Sequence, residues 1–269
     1  MSYKLENKTI ILTGAASGLG LSLYQTLKDK GCILHLIDKD FKEENIVELN
    51  VFRYKYDLSN LEELEKLSNK IKARSPNIDL LFNNAAYEIG SLIEEFPIEE
   101  FTKNINANFL APVHLTKLFF DELKQSRGKI INIISDAAFR GVPTRSSYCS
   151  SKAAFGAFTE ALRLELKEKS IDVVYVIPPK LNTNFFKNIK YFGILEKDKI
   201  SYSDKRPFFS QDRFAKILIK ELENNKKIIT KFTIAKILTG LNFLFPLVCD
   251  LVVENFSSWK KIRNIIRSN

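Results

Sequence analysis

Cysteine is scarce in this chain of 269 residues, which holds only Cys32, Cys149 and Cys249. Their wide spacing excludes a disulfide framework and fits a reducing cytoplasm. Histidine is scarcer: His35 and His114 sit in apolar segments without ligand spacing around them, so no metal site is expected. A long apolar run is also lacking. The uncharged run 237–249 covers 13 residues and contains Asn242 and Pro246, short of the roughly 20 needed to cross a bilayer. No stretch reads as a secretory leader, because residues 1–8 are polar and lead directly into a strand pattern.

The chain does hold enough apolar residues for a sizeable core, 45% of the total, and is long enough for one large α/β domain or two small ones. It is basic, with a net charge of +9. From Asn225 onward eight lysines and arginines face two acids, so this segment alone carries +6. Basic patches serve nucleic acid, anionic membranes or acidic substrates. No nucleic-acid motif accompanies this one, which sets nucleic acid aside.

Residues 8–13 read as a buried strand. The turn Thr13-Gly14-Ala15-Ala16-Ser17-Gly18-Leu19-Gly20 and a helical pattern to Lys28 follow. Strand, glycine-rich turn and helix together make a phosphate cradle, since glycine permits close backbone approach and the helix start offers free N–H groups. A second strand, 33–38, ends in Asp38, 18 residues after Gly20. An acid there can accept both hydroxyls of an adenosine ribose and repels a 2′-phosphate. Lys39 is the contrary signal; NAD(H) is favoured over NADP(H).

Further strand patterns lie at 51–56, 78–82, 129–134, 171–177 and 228–232. Between them stand helical patterns at about 62–74, opened by a Ser59–Glu62 capping box, at 98–125, from about 146, and at 211–224. This alternation predicts an α/β fold: a Rossmann-like, doubly wound parallel sheet of about seven strands with helices on both faces. Residues 1–233 would form one domain, the irregular stretch 184–210 a substrate lid, and 234–269 a helical C-terminal extension. Three readings of that apolar, basic tail compete. It completes the substrate pocket, makes a subunit contact, or lies on a membrane with Trp259 and the lysines at the headgroups. The first two together outrank the third.

The stretch 135–152 carries the chemistry. Tyr148 and Lys152 stand four residues apart, on one helix face. An ammonium beside a phenol favours the phenolate and lowers its pKa from about 10, as general acid–base work near neutrality requires. Ser135, at the carboxyl end of a strand, can hold a substrate oxygen against that phenol. Taken alone, the pair is more often packing plus a solvated charge. Asn108, four residues before Pro112, sits where a kink can free backbone carbonyls; by itself it reads as structural. Cys149 reads as a small helix residue.

These segments in order resemble the short-chain dehydrogenase/reductase family. Thr13–Gly20 is similar to its TGxxxGxG turn, Asn83–Ala86 to its NNAG segment, Asn108 to the family asparagine, Ser135, Tyr148 and Lys152 to its serine and YxxxK, and Thr183 to the threonine of PGxxxT. The resemblance covers about residues 5–183 and implies an NAD(P)-dependent oxidoreductase interconverting an alcohol and a ketone. It implies that Tyr148 passes the proton, Lys152 holds the nicotinamide ribose, Ser135 anchors the substrate oxygen and Asn108 fixes a water. It further implies cofactor contacts from Gly14, Ser17, Gly18, Leu19, Gly20, Asp38, Asp57, Leu58, Asn84, Ala85, Tyr148, Lys152, Pro178, Leu181 and Thr183, and assembly as a homodimer or homotetramer. Ala86 and Pro179 replace family glycines. The glycine-rich ending of the acyl-carrier-protein reductases is missing, which with the apolar tail points to a hydrophobic carbonyl or alcohol substrate. A catalytically silent cofactor-binding or scaffolding protein is the alternative that the intact Asn–Ser–Tyr–Lys set opposes.

Overall fold

The computed structural model describes residues 2–42, 48–197, 208–230, 242, 244–254, 259–260 and 262–264. The expected strand–helix alternation is present. β1 (Thr9–Thr13), α1 (Gly18–Lys28), β2 (Ile33–Asp38), β3 (Val51–Lys55), α2 (Leu64–Arg74) and β4 (Leu80–Asn83) form the first half. A short β5 (Ile89–Gly90) precedes α3 (Ile98–Ile105), α4 (Ala111–Leu118) and α5 (Phe120–Ser126). Then come β6 (Lys129–Ile133), α6 (Ser146–Glu165), β7 (Asp172–Ile177), β8 (Lys190–Tyr191), α7 (Ile194–Lys197), α8 (Gln211–Glu223), β9 (Ile228–Thr230) and α9 (Pro246–Glu254).

Seven strands make one parallel sheet in the order β3-β2-β1-β4-β6-β7-β9, while β5 and β8 pair separately. The inner strands β1, β4 and β7 are mostly apolar because both faces are covered. Successive residues alternate between two cores. Ile10 and Leu12 of β1, Leu80 and Phe82 of β4, and Ile131 and Ile133 of β6 pack towards α1 and α8. Ile11, Leu81 and Ile130, one residue out of step, pack with α2 and α4 on the opposite face. The chain order reverses between β1 and β4, and this switch point opens a crevice at the carboxyl ends of the strands.

Three local readings are corrected. The helix expected over 98–125 is interrupted by a π-helical turn at Asn106–Leu110 and breaks again at Phe119. The capping box at Ser59–Glu62 does not form. The Ser59 hydroxyl instead donates to Asp57 Oδ1 at 2.8 Å, and a 3-10 turn, Leu61–Glu63, leads into α2. The stretch 184–210 is less irregular than expected, since it contributes a 3-10 turn at Asn184–Phe186, β8 and α7; its residues 198–207 lie outside the described residues, as do the tail's 231–241. Among the described residues no helix is long and apolar enough to cross a membrane.

Candidate active site

A cavity of about 1030 Å³ runs along the switch point, from the glycine-rich turn to the tail. The backbone makes its near wall. Gly14 and Gly18 have left-handed φ angles of 68° and 53°, which glycine alone adopts without strain. A Cβ at Gly20 would stand 1.8 Å from the Gly14 carbonyl oxygen, so only hydrogen fits. Asn84 locks the turn from the neighbouring strand end: its Nδ2 donates to the carbonyls of Thr13 at 2.9 Å and Gly14 at 3.2 Å. No side chain caps the first turn of α1 and no acid lies in it. Its free N–H groups and positive end therefore meet the cavity unneutralised, which suits an anionic phosphate.

Asp38 stands at the end of β2. Its Oδ2 accepts from the Ala16 N–H at 2.9 Å and its Oδ1 from the Asp40 N–H at 3.0 Å, which fixes the carboxylate beside the turn. The Lys39 ammonium lies 5.3 Å from the centre of the Tyr87 ring. Thr183 lies against Gly18, where an added Cβ would meet its own Cβ at 3.4 Å, and its hydroxyl accepts from the Phe185 N–H. The residues present thus fit a dinucleotide: close-approach glycines, unpaired helix donors and an acid at ribose distance in sequence.

Of the residues expected from sequence, Gly14, Ser17, Gly18, Leu19, Gly20, Asp38, Asp57, Leu58, Asn84, Ala85, Ser135, Tyr148, Lys152, Pro178, Leu181 and Thr183 all line this one cavity. Asn108 does not line it. It is wholly buried in the π-helical turn, where Oδ1 accepts from the Tyr87 N–H at 3.0 Å and Nδ2 donates to the Tyr87 carbonyl at 2.9 Å and to Ser151 Oγ at 3.1 Å. Its side chain clamps the loop after β4 onto α6.

Tyr148 and Lys152 are buried on α6. The expected lowering of the phenol by the ammonium is not met. Burial pushes Tyr148 well above the ordinary phenol range and the nearby Glu88 carboxylate adds to this, while the Ser135 hydroxyl and the Arg145 cation act the other way. The group brought towards neutrality is the lysine: burial takes Lys152 down to about 7. Its Nζ donates to the Ile133 carbonyl at 2.9 Å. Sequence reasoning also missed Glu88 and Arg145, a buried ion pair in the cavity wall. Neither belongs to a local pattern, and only the meeting of the two chain segments reveals them.

The far end of the cavity is apolar. Ala86, Val142 and Phe185 pack around Tyr148, with the Phe185 ring centre 5.5 Å from that of Tyr148. Ala86, in place of the expected glycine, is accommodated in this cluster, and Pro179 lines the cavity. Cys249 of α9, Trp259 and Ile262 also line it, and Ile262 packs on Leu195 of α7. Arg140 ties α9 down through Asp250.

Comparison with known proteins follows the same outline. The family model for short chain dehydrogenases matches residues 8–191. A 3-ketodihydrosphingosine reductase from Bacteroides thetaiotaomicron is 31% identical over 82% of this chain and 79% of its own length. Two solved structures share the fold. A short chain dehydrogenase from Burkholderia cenocepacia in complex with NADP has a TM-score of 0.75 at 21% identity, covering 93% of this chain and 99% of that one. One from Burkholderia phymatum in complex with NAD has a TM-score of 0.75 at 17% identity, covering 90% and 94%.

Proposed function

This chain belongs to the short chain dehydrogenase family of oxidoreductases, and on that premise we propose that it interconverts a secondary alcohol and a ketone on a hydrophobic substrate. The observation that carries the proposal is the convergence of Ser135, Tyr148 and Lys152 on the cavity that the glycine-rich turn opens.

The Gly14–Gly20 turn and Asp38 would hold a nicotinamide cofactor, which would supply or take up the hydride. The protein's own groups handle the proton. Tyr148, kept protonated by burial, is in the form that donates to a carbonyl oxygen, which suits ketone reduction. Ser135, in the wall of the same cavity, holds that oxygen in line. Lys152, near 7, can return a proton to the site at neutral pH. NAD(H) is favoured over NADP(H): the Asp38 carboxylate repels a 2′-phosphate and no basic residue stands in the turn.

The substrate end is apolar, and the Bacteroides relative is named for a 3-ketodihydrosphingosine. Both support a lipid-like ketone over a small polar one. Residues 1–233 form the catalytic unit in this reading, and the tail completes the pocket through Cys249, Trp259 and Ile262. The outer face of α9 bears Leu247, Val248 and Leu251, each more than half exposed. With the basic tail it supports a peripheral contact between a cytoplasmic enzyme and anionic lipid. Family resemblance supports a homodimer or homotetramer.

The test is a panel of ketones of rising chain length with NADH and NADPH, run on the wild type and Tyr148→Phe. Reduction is expected to improve with chain length and to disappear in the variant while NADH binding persists. No turnover with any ketone would favour the silent cofactor-binding alternative, and turnover that survives in Tyr148→Phe would take the proton transfer away from Tyr148.

A further inference from the structure

We propose that Glu88 and Arg145 form a positioning pair for Tyr148, joining the start of α6 to the loop after β4 and setting the local field at the phenol. The inference rests on the reading of Tyr148 as the proton carrier. The two residues are 57 apart in sequence and meet as a two-pronged pair, Nε to Oε1 and Nη2 to Oε2. Side-chain exposure is 0% for Glu88 and 10% for Arg145. The guanidinium carbon lies 5.3 Å from the centre of the Tyr148 ring.

Packing alone does not call for this pair. The residues packed around Tyr148 beside it, Ala86, Val142 and Phe185, are apolar, and apolar side chains of similar volume would avoid the desolvation cost of two buried charges. The backbone is bent to admit it. Thr144, immediately before Arg145, has a φ of 69°, a strained value for a β-branched residue. Its carbonyl accepts from the Ser91 N–H at 3.0 Å, a second tie between the same two segments. Glu88 leads into β5, which pairs with β8, so the clamp also reaches the lid.

The groups facing the phenol are Arg145 and Cys149 from α6, Glu88 from the loop after β4 and Ser135 from the end of β6, with Lys152 lining the same cavity. Replacing Glu88 by glutamine leaves the Arg145 cation beside the ring without its counter-charge. The phenol then surrenders its proton at lower pH.

The experiment measures kcat against pH for the most rapidly reduced ketone of an aliphatic and aromatic methyl-ketone panel with NADH, together with NADH binding by fluorescence and thermal melting. Glu88→Gln should move the upper alkaline limb of kcat, the one above the Lys152 inflection, down by about one pH unit. Arg145→Lys, which keeps the charge and loses the fork, should lower kcat roughly tenfold or more with NADH binding unchanged. The double variant Glu88→Leu/Arg145→Met retains the melting temperature without recovering kcat, whereas a purely structural pair would be replaced at no cost to turnover. Wild-type kcat and an unmoved limb in that folded double variant, with Tyr148→Phe inactive, overturn the pair's role alone. Turnover persisting in Tyr148→Phe overturns the reading of Tyr148 beneath it.

Discussion

The Lys152 ammonium donates to the carbonyl of Ile133 at the end of β6, 2.9 Å away, and so ties the first half of α6 to the carboxyl end of an inner strand. Burial leaves the lysine near neutrality instead of making the neighbouring phenol acidic. Lys152 is therefore cationic below about 7 and neutral above it. Reductive kcat/KM is expected to fall as pH rises through that value, because the proton reserve behind Tyr148 is lost. Lys152→Met should be slow at every pH and show no such inflection. A wild-type profile flat between pH 6 and pH 8 (roughly one unit either side of that value) would remove Lys152 from the proton path.

The glycine-rich turn makes a sharper steric prediction. Gly20→Ala places a methyl 1.8 Å from a backbone oxygen, so the turn must open and NADH binding should be abolished. Gly141→Ala meets nothing within 4 Å and is the matched control, expected to bind NADH and melt like the wild type. NADH titration and thermal melting of the two variants check this.

Asp38 is expected to set cofactor preference. Asp38→Ala removes the charge that opposes a 2′-phosphate, and the NADH-to-NADPH affinity ratio should fall roughly tenfold or more, the consequence of about 1.4 kcal/mol or more of lost discrimination. Dissociation constants for both cofactors, measured by fluorescence on both proteins, decide it. An unchanged ratio would mean that another group reads the ribose.

His35 is buried in the sheet, with its ring nitrogens 2.9 Å from Tyr54 Oη and 2.9 Å from Ser75 Oγ. Burial, and then the Arg74 cation, push it from 6.5 down to about 4. The unfolded chain thus binds a proton between those values that the folded chain refuses. Stability should decline as pH falls from 6.5 towards 4, by an amount on the order of 3 kcal/mol from this residue. Urea unfolding at intervals across that window, compared with His35→Gln, measures the contribution; the variant should lose most of this pH dependence.

The outer face of α9 makes the membrane contact testable. Leu247 is 76% exposed and Leu251 61%. Leu247→Glu/Leu251→Glu should weaken sedimentation with phosphatidylserine vesicles and leave turnover of a short ketone intact, since neither residue lines the cavity. Equal partitioning of wild type and variant would assign that face to another role.

Much of this protein was determined locally. Short, mostly apolar runs specified the seven strands, because a strand covered on both faces buries side chains in both directions. Glycine spacing specified the cradle at Gly14–Gly20, and a four-residue interval put Tyr148 and Lys152 on one side of α6. Tertiary structure decided what periodicity cannot encode. Asn108 and Pro112 marked where the long helix could kink, but that the kink takes the form of a π-helical turn at Asn106–Leu110 came only from the structure. Glu88 met Arg145 only when the loop after β4 closed on α6. The protonation of Tyr148 and Lys152 followed burial and not adjacency, because the energy of a charge depends on how much water the whole fold removes from it.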